Sequence, residues 1–173
     1  MLSVSKNEFN IIGFLARNFS KKFTIRNIAS ELKVSAPGAH ASLKKLEKNN
    51  IVKAEKLGTG LFYEIDYANK TAYHLAAASL LDHFELKNIS IKELEKEAKA
   101  ALFDGKEAII ITNSPDNANA ICSKMEIKCS CLSEDEFLEM LKVKDENVIH
   151  IIQKGNVLFG EEQVINLIKK VIR

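Results

Sequence analysis

Apolar residues recur at three- and four-residue steps near the start of the chain: Phe9, Ile12, Leu15, Ala16 and Phe19 share one face of an expected helix. Ser5 opens it, and Glu8 three residues on completes a capping box. The same spacing returns twice between Thr24 and Leu46. Ile25, Ile28, Ala29 and Leu32 line one short helix capped by Thr24, and Ala39, Leu43 and Leu46 line a second. Val34 fills the turn between them, Ser35 caps the second helix, and Pro37 falls in its first turn, where a missing N–H is least felt. The period then changes to two. IVKAEKLGTGLFYEID alternates around Gly58-Thr59-Gly60, so Ile51 to Lys56 and Leu61 to Ile65 read as the strands of a hairpin.

Two amphipathic helices with a short link make an ordinary helical hairpin, but a β-hairpin directly behind them favours a winged helix-turn-helix. The second helix turns Ala36, Pro37, His40, Ala41, Lys44 and Lys45 away from its apolar stripe, a small and basic surface suited to a DNA groove. Lys21 and Lys22, in the link before Thr24, are within reach of phosphate on this reading.

Asn69 caps a further expected helix running to about Leu86, with Tyr73, Ala76, Ala77, Leu80, Leu81 and Phe84 on a broad apolar side. Its alanines allow another helix to approach, either within its own domain or from a second chain. The pattern resets between Lys87 and Ser90. Ser90 with Glu93 opens an expected helix through Leu102 carrying Ile91, Leu94, Ala98, Ala101 and Leu102. Ala108 to Thr112 is a short apolar run bounded by turn residues and reads as a buried strand. A helix around Ala118 to Met125, a strand over EIKCSCL, and a helix opened by Ser133 with Glu136 follow. NVIHIIQKG is ambiguous between helix and strand, VLFG reads as a strand, and Glu161 to Ile172 as a closing helix. The expected fold class is therefore α+β: residues 1–68 as a winged helix-turn-helix, 69–88 as a linking or dimerisation helix, and 89–173 as a small α/β domain.

Composition narrows the function classes. The 173 residues are 46% hydrophobic and 28% charged, as in ordinary globular proteins. No apolar run approaches the roughly twenty residues of a membrane span, and the start lacks a signal-peptide pattern, so a cytoplasmic location is expected. Three cysteines, Cys122, Cys129 and Cys131, form no CxxC pair, so a disulfide scaffold is not expected. Cys129 and Cys131 share one face if their segment is a strand, but no His or third Cys is close in sequence to complete four ligands, and no metal or other cofactor is expected. The net charge of +2 hides an asymmetry. Residues 1–70 carry twelve Lys/Arg against six Asp/Glu, and the remainder thirteen against seventeen. Phosphate neutralisation supplies most non-specific DNA affinity, so this split fits a front half that meets DNA.

The front half resembles winged-helix regulators of the MarR and ArsR kind over roughly Ser5 to Phe84, through KVSAPGAHASLKKLEKNNIV and KAEKLGTGLFYEID. The resemblance implies that Ser35, Ala36, Pro37, His40, Ala41, Lys44 and Lys45 serve the major groove, while Lys53, Lys56 and Thr59 approach backbone or minor groove. No Arg, Asn or Gln lies between Ala36 and Lys45, so bidentate base contacts are few. The back half is more distantly similar to the small nucleotidyltransferase domains that prokaryotes, especially archaea, fuse behind winged helices, through SEDEFLEML and GNVLFG. Those enzymes use a Gly-Ser turn and an Asp-x-Asp pair to hold phosphates and magnesium. Here the corresponding stretch reads Phe103-Asp104-Gly105-Lys106-Glu107, so no catalytic residues are expected.

The expected function is a DNA-binding transcriptional regulator acting as a homodimer on double-stranded DNA. Two alternatives stand beside it: a divergent nucleotidyltransferase using Asp104 and Glu107, and a protein-interaction module of a toxin–antitoxin-like pair, which a less basic wing would favour. No small-molecule effector site is evident in the polar residues of the back half, which sit at caps and turns.

Overall fold

The computed structural model describes residues 3–81 and 89–172. The chain is mixed α+β and divides into two compact units, Met1–Ser79 and Leu80–Arg173. The expected domain boundary at Lys87 to Ser90, the last turn of the expected helix to Leu86, and Phe84 lie outside the described residues or at their margin.

In the first unit the order is α1 (Lys6–Arg17), β1 (Phe23–Thr24), α2 (Ile25–Glu31), α3 (Ala36–Lys48), β2 (Val52–Leu57), β3 (Gly60–Ile65) and α4 (Lys70–Leu80). Capping boxes start two of these helices: Ser5 with Glu8 at α1, and Thr24 with Asn27 at α2. β1, β3 and β2 form an antiparallel sheet in that spatial order, with Val52 opposite Ile65 and Leu57 opposite Gly60. Ile11, Ile12, Leu15, Ala16, Ile28, Ala29, Ala39, Leu43, Leu46, Ile51 and Val52 make the core. Phe14 stacks edge-on against Phe23 with ring centres 4.7 Å apart, fixing α1 over β1. Phe9, expected on the buried stripe of α1, is instead 37% exposed, because the buried face runs through Glu8, Ile11, Ile12, Leu15 and Ala16 and leaves position 9 to one side of it. α4 buries Ala72, Ala76 and Ala77, and its Ser79 packs against Gly13 of α1, where an added Cβ would lie 3.4 Å from the serine's own.

The turn between α2 and α3 is built without glycine. Lys33 takes φ 53°, its N–H reaching Ser30 O at 3.2 Å while Val34 N–H reaches Ala29 O at 3.0 Å. This paired closure satisfies the last carbonyls of α2 and turns the chain sharply into α3. Ser35 then caps α3 by accepting the Gly38 N–H at 3.2 Å. α3 ends the same way at Asn50, φ 55°.

The second unit holds α5 (Ile89–Glu97), β4 (Ala100–Phe103), β5 (Glu107–Ile111), α6 (Pro115–Lys124), β6 (Lys128–Leu132), α7 (Glu134–Lys142), α8 (Glu146–Lys154), β7 (Asn156–Phe159) and α9 (Glu161–Ile172). Its sheet runs β6-β5-β4-β7, with β5 and β6 parallel and the other pairs antiparallel. Ala101, Ala108 and Ile110 point to the face covered by α5 and α6, where Leu94, Ala118, Ile121 and Cys122 join them. Ala100, Leu102, Ile109 and Ile111 alternate onto the other face, which α7, α8 and α9 serve. Both faces are covered, which explains the unbroken apolar run of β5.

One expectation fails here. The helix predicted from Ser90 through Leu102 ends at Glu97, and residues 100–103 are β4, a central strand. Asp104-Gly105 consequently turns the β-hairpin between β4 and β5, with Gly105 at φ 96°. The ambiguous NVIHIIQKG segment is helical: Asp145 caps α8 by accepting the N–H groups of Asn147 and Val148. Ser133 with Glu136 caps α7 as the spacing requires.

Candidate nucleic-acid interface

Amphipathic packing decides what α3 presents. Ala39, Leu43 and Leu46 are buried, which leaves Ala36, Pro37, His40, Ala41 and Lys44 exposed along the opposite side. Ser35 is exposed at the start of that face, but its hydroxyl is occupied in capping. Lys48, one turn beyond Lys44 and outside the expected set, is exposed on the same face, as its four-residue spacing from Lys44 dictates.

Lys45 departs from the expected arrangement. It lies at the flank of α3 and reaches α1, where its ammonium donates to Glu8 at 3.0 Å and to the Ser3 carbonyl at 2.8 Å. Burial alone would raise the Glu8 carboxyl; the Ser5 N–H and the Lys45 ammonium more than reverse this and hold it below the usual carboxylate range. The pair joins two helices, so Lys45 does not share the free charge of Lys44.

Strand alternation splits the hairpin residues. Lys53, Glu55 and Leu57 point to one face of β2, while Ala54 and Lys56 point to the other. Lys53 pairs with Glu64 at 2.9 Å and Glu55 pairs with Lys22, which neutralises the outer face of the hairpin. Among the described residues, no ion pair engages Lys44, Lys48 or Lys56. Thr59 is exposed at the tip, between the half-exposed side chains of Leu57 and Leu61. The ten residues expected to form one DNA surface thus separate. Ala36, Pro37, His40, Ala41 and Lys44 are together on α3, Ser35 is occupied as its cap, Lys56 and Thr59 mark the far half of the hairpin, and Lys45 and Lys53 are held by carboxylates.

In the second unit the two carboxylates considered for a nucleotidyltransferase site have structural duties. The Asp104 carboxylate accepts the N–H groups of Lys106 and Glu107, both at 2.9 Å, and these bonds hold it below the usual range. Glu107 pairs with Lys128 across the two parallel strands. Among the described residues, no group of three His, Cys, Asp or Glu side chains is arranged to hold a metal ion. No helix among them is long and apolar enough to cross a membrane.

Compared with known proteins, the chain matches no family model and no curated sequence.

Proposed function

We propose that the protein is a DNA-binding transcriptional regulator whose first unit is a winged helix-turn-helix, acting as a homodimer on double-stranded DNA. The observation that carries this reading is α3: a helix backed by α2 across a tight turn, with an outer face of small residues ending in Lys44 and Lys48, which have no ion-pair partner among the described residues. Small side chains let a helix approach base edges and backbone closely, and two cations on that side meet phosphate. The element order α1-β1-α2-α3-β2-β3 and the sheet order β1-β3-β2 support the same reading, with the β2–β3 hairpin as wing. The second unit is read as a nucleotidyltransferase-like fold without the chemistry, serving pairing or partner binding. Asp104 has a structural duty in that fold: its Oδ1 accepts two backbone N–H groups and holds the β4–β5 turn.

One observation favours a protein-interaction module instead. Pairing of Lys45 and Lys53 leaves the surface less basic than the sequence implies, and Leu57 and Leu61 stand exposed at the hairpin. Fluorescence anisotropy against random and genomic duplex DNA across a salt series separates the two, with the oligomeric state measured in the same buffer. A dimer whose affinity falls steeply with salt while some sequences are retained far better than others supports the regulator. Negligible binding at every salt concentration overturns it.

A further inference from the structure

The sheet of the second unit gathers its sulfur at one edge. Cys129 and Cys131 are alternate residues of β6, so both side chains leave the same face, the one that α6 covers. α6 brings Asn119 and the buried Cys122 to that face. The sequence spacing of seven between Cys122 and Cys129 gives no hint of this, since a helix end, a turn and the start of a strand fold back between them. β6 is the outermost strand, and its two thiols remain partly accessible.

The geometry is specific. The sulfurs of Cys129 and Cys131 are 4.0 Å apart, and each donates to Asn119 Oδ1 at 3.3 Å. A point in the plane of those atoms, with sides of 4.0, 3.3 and 3.3 Å, lies about 2.1 Å from all three, close to metal bond lengths to sulfur and oxygen. A buried cysteine is ordinarily a small apolar side chain. Two accessible thiols aimed at one amide oxygen do not have that character.

We propose that Cys129, Cys131 and Asn119 Oδ1 form a binding site for a soft monovalent cation of the Cu(I) class, with two thiolates as the principal ligands. Zinc asks for four ligands, and no third acidic or imidazole ligand completes such a set among the described residues. Thiolates select Cu(I) and tolerate low coordination numbers. A Cys129–Cys131 disulfide is the competing chemistry. Residues two apart on an extended strand are separated by about 6.6 Å between Cα atoms, at the outer limit a disulfide spans. The uptake involves no redox step: two thiol protons leave and one cation enters.

The test is anaerobic competition for Cu(I) between the full chain and bathocuproine disulfonate, read from the chelator's colour. The expected result is one Cu(I) retained per chain, with Cys129→Ser and Cys131→Ser each weakened by more than about tenfold and Asn119→Ala by several-fold, the scale of lost ligands and their supports. Cys122→Ser stays near wild type, and far-ultraviolet circular dichroism verifies that each variant is folded. Failure of the wild type to take Cu(I) from the chelator overturns the site. So does unchanged binding in folded Cys129→Ser and Cys131→Ser, or preferential retention of Zn(II) over Cu(I).

Discussion

The Lys45 ammonium stands 3.0 Å from Glu8, a carboxylate buried at 5% exposure, and so ties α3 to α1 across the first unit. Glu8 also accepts the Ser5 N–H at 2.9 Å, which makes one side chain serve both a helix start and an interhelical contact. A charged group this buried is stabilising only while its partners remain.

Acid should therefore weaken the first unit through Glu8. Its carboxyl is depressed in the folded protein relative to an ordinary value of 4.5, so its contribution is complete above that value and is lost as pH falls through the folded one. Glu8→Gln keeps the capping geometry and removes the charge. Lys45 is half exposed and screened by solvent, so the variant is expected to lose about 1 kcal/mol at pH 7. Thermal melts from pH 7 to 3 check this: the gap between wild type and variant should close toward pH 3. A gap independent of pH would show that the ionised form contributes nothing. The depressed carboxyls of Asp104, Glu134 and Glu136 are common to both proteins and cancel in the difference.

The same pair changes which lysines should matter for DNA. Lys44 and Lys48 are unpaired among the described residues, whereas Lys45 is occupied by Glu8. Each released phosphate contact lowers the slope of log affinity against log salt by about 0.9. Lys44→Ala and Lys48→Ala are expected to reduce that slope by about one such step each, with Lys45→Ala leaving it unchanged while lowering the melting temperature. Lys169→Ala and Lys170→Ala, on α9, serve as controls and should alter neither slope nor affinity. An effect of Lys45→Ala on the slope equal to that of Lys44→Ala would put Lys45 on the DNA surface after all.

Among the described residues, four helices end on non-glycine residues in the left-handed region: Lys33, Asn50, Glu126 and Lys144, with φ between 53° and 56°. At each, two N–H groups reach back to close the helix, as when Asp145 N–H meets Met140 O at 2.9 Å and Lys144 N–H meets Leu141 O at 3.2 Å. A side chain costs about 1 kcal/mol in this conformation and glycine does not, though glycine gives back part of that gain as unfolded-chain entropy. Lys144→Gly, exposed and without an ion pair among the described residues, should raise stability by up to about 1 kcal/mol. Urea denaturation measures it, and Lys144→Ala, which keeps the strain, should show no such gain.

Four helix starts were legible because capping chemistry is local: Ser5, Thr24, Ser35 and Ser133 each accept the N–H three residues on. β4 was not legible. Ala98, Ala101 and Leu102 continue the helical spacing begun at Leu94, and alanine favours helix, so the window contains no local reason to break. The strand exists because Ala101 and Leu102 are sandwiched between β5 and β7, pairings that no sequence window contains. Gly160 marks where β7 hands over to α9: at φ 75°, a Cβ there would lie 2.6 Å from the Ala100 Cα. At the candidate interface, periodicity alone set Ala36, Pro37, His40, Ala41 and Lys44 on the outer face of α3. The capture of Lys45 by Glu8, 37 residues away, and of Lys53 by Glu64 depends on packing and strand register. Counting charges along the chain therefore overstated the free positive surface.

Tyr67 supplies the last test. Its ring is buried just beyond β3, and its hydroxyl has no hydrogen-bond partner among the described residues. Burial, with the nearby Glu64 charge adding to it, pushes the phenol well above its ordinary value of 10, so it stays neutral throughout the useful pH range. A neutral buried hydroxyl with no partner carries its full desolvation cost, about 1–3 kcal/mol. Tyr67→Phe removes the oxygen and keeps the ring, so the variant should be at least as stable as wild type and gain about 1 kcal/mol if the site closes around the smaller atom set. Denaturant midpoints of the two proteins decide it, with unchanged denaturant dependence confirming that both unfold alike. A loss above about 1 kcal/mol would mean that the hydroxyl is bonded in solution, through water or a partner group.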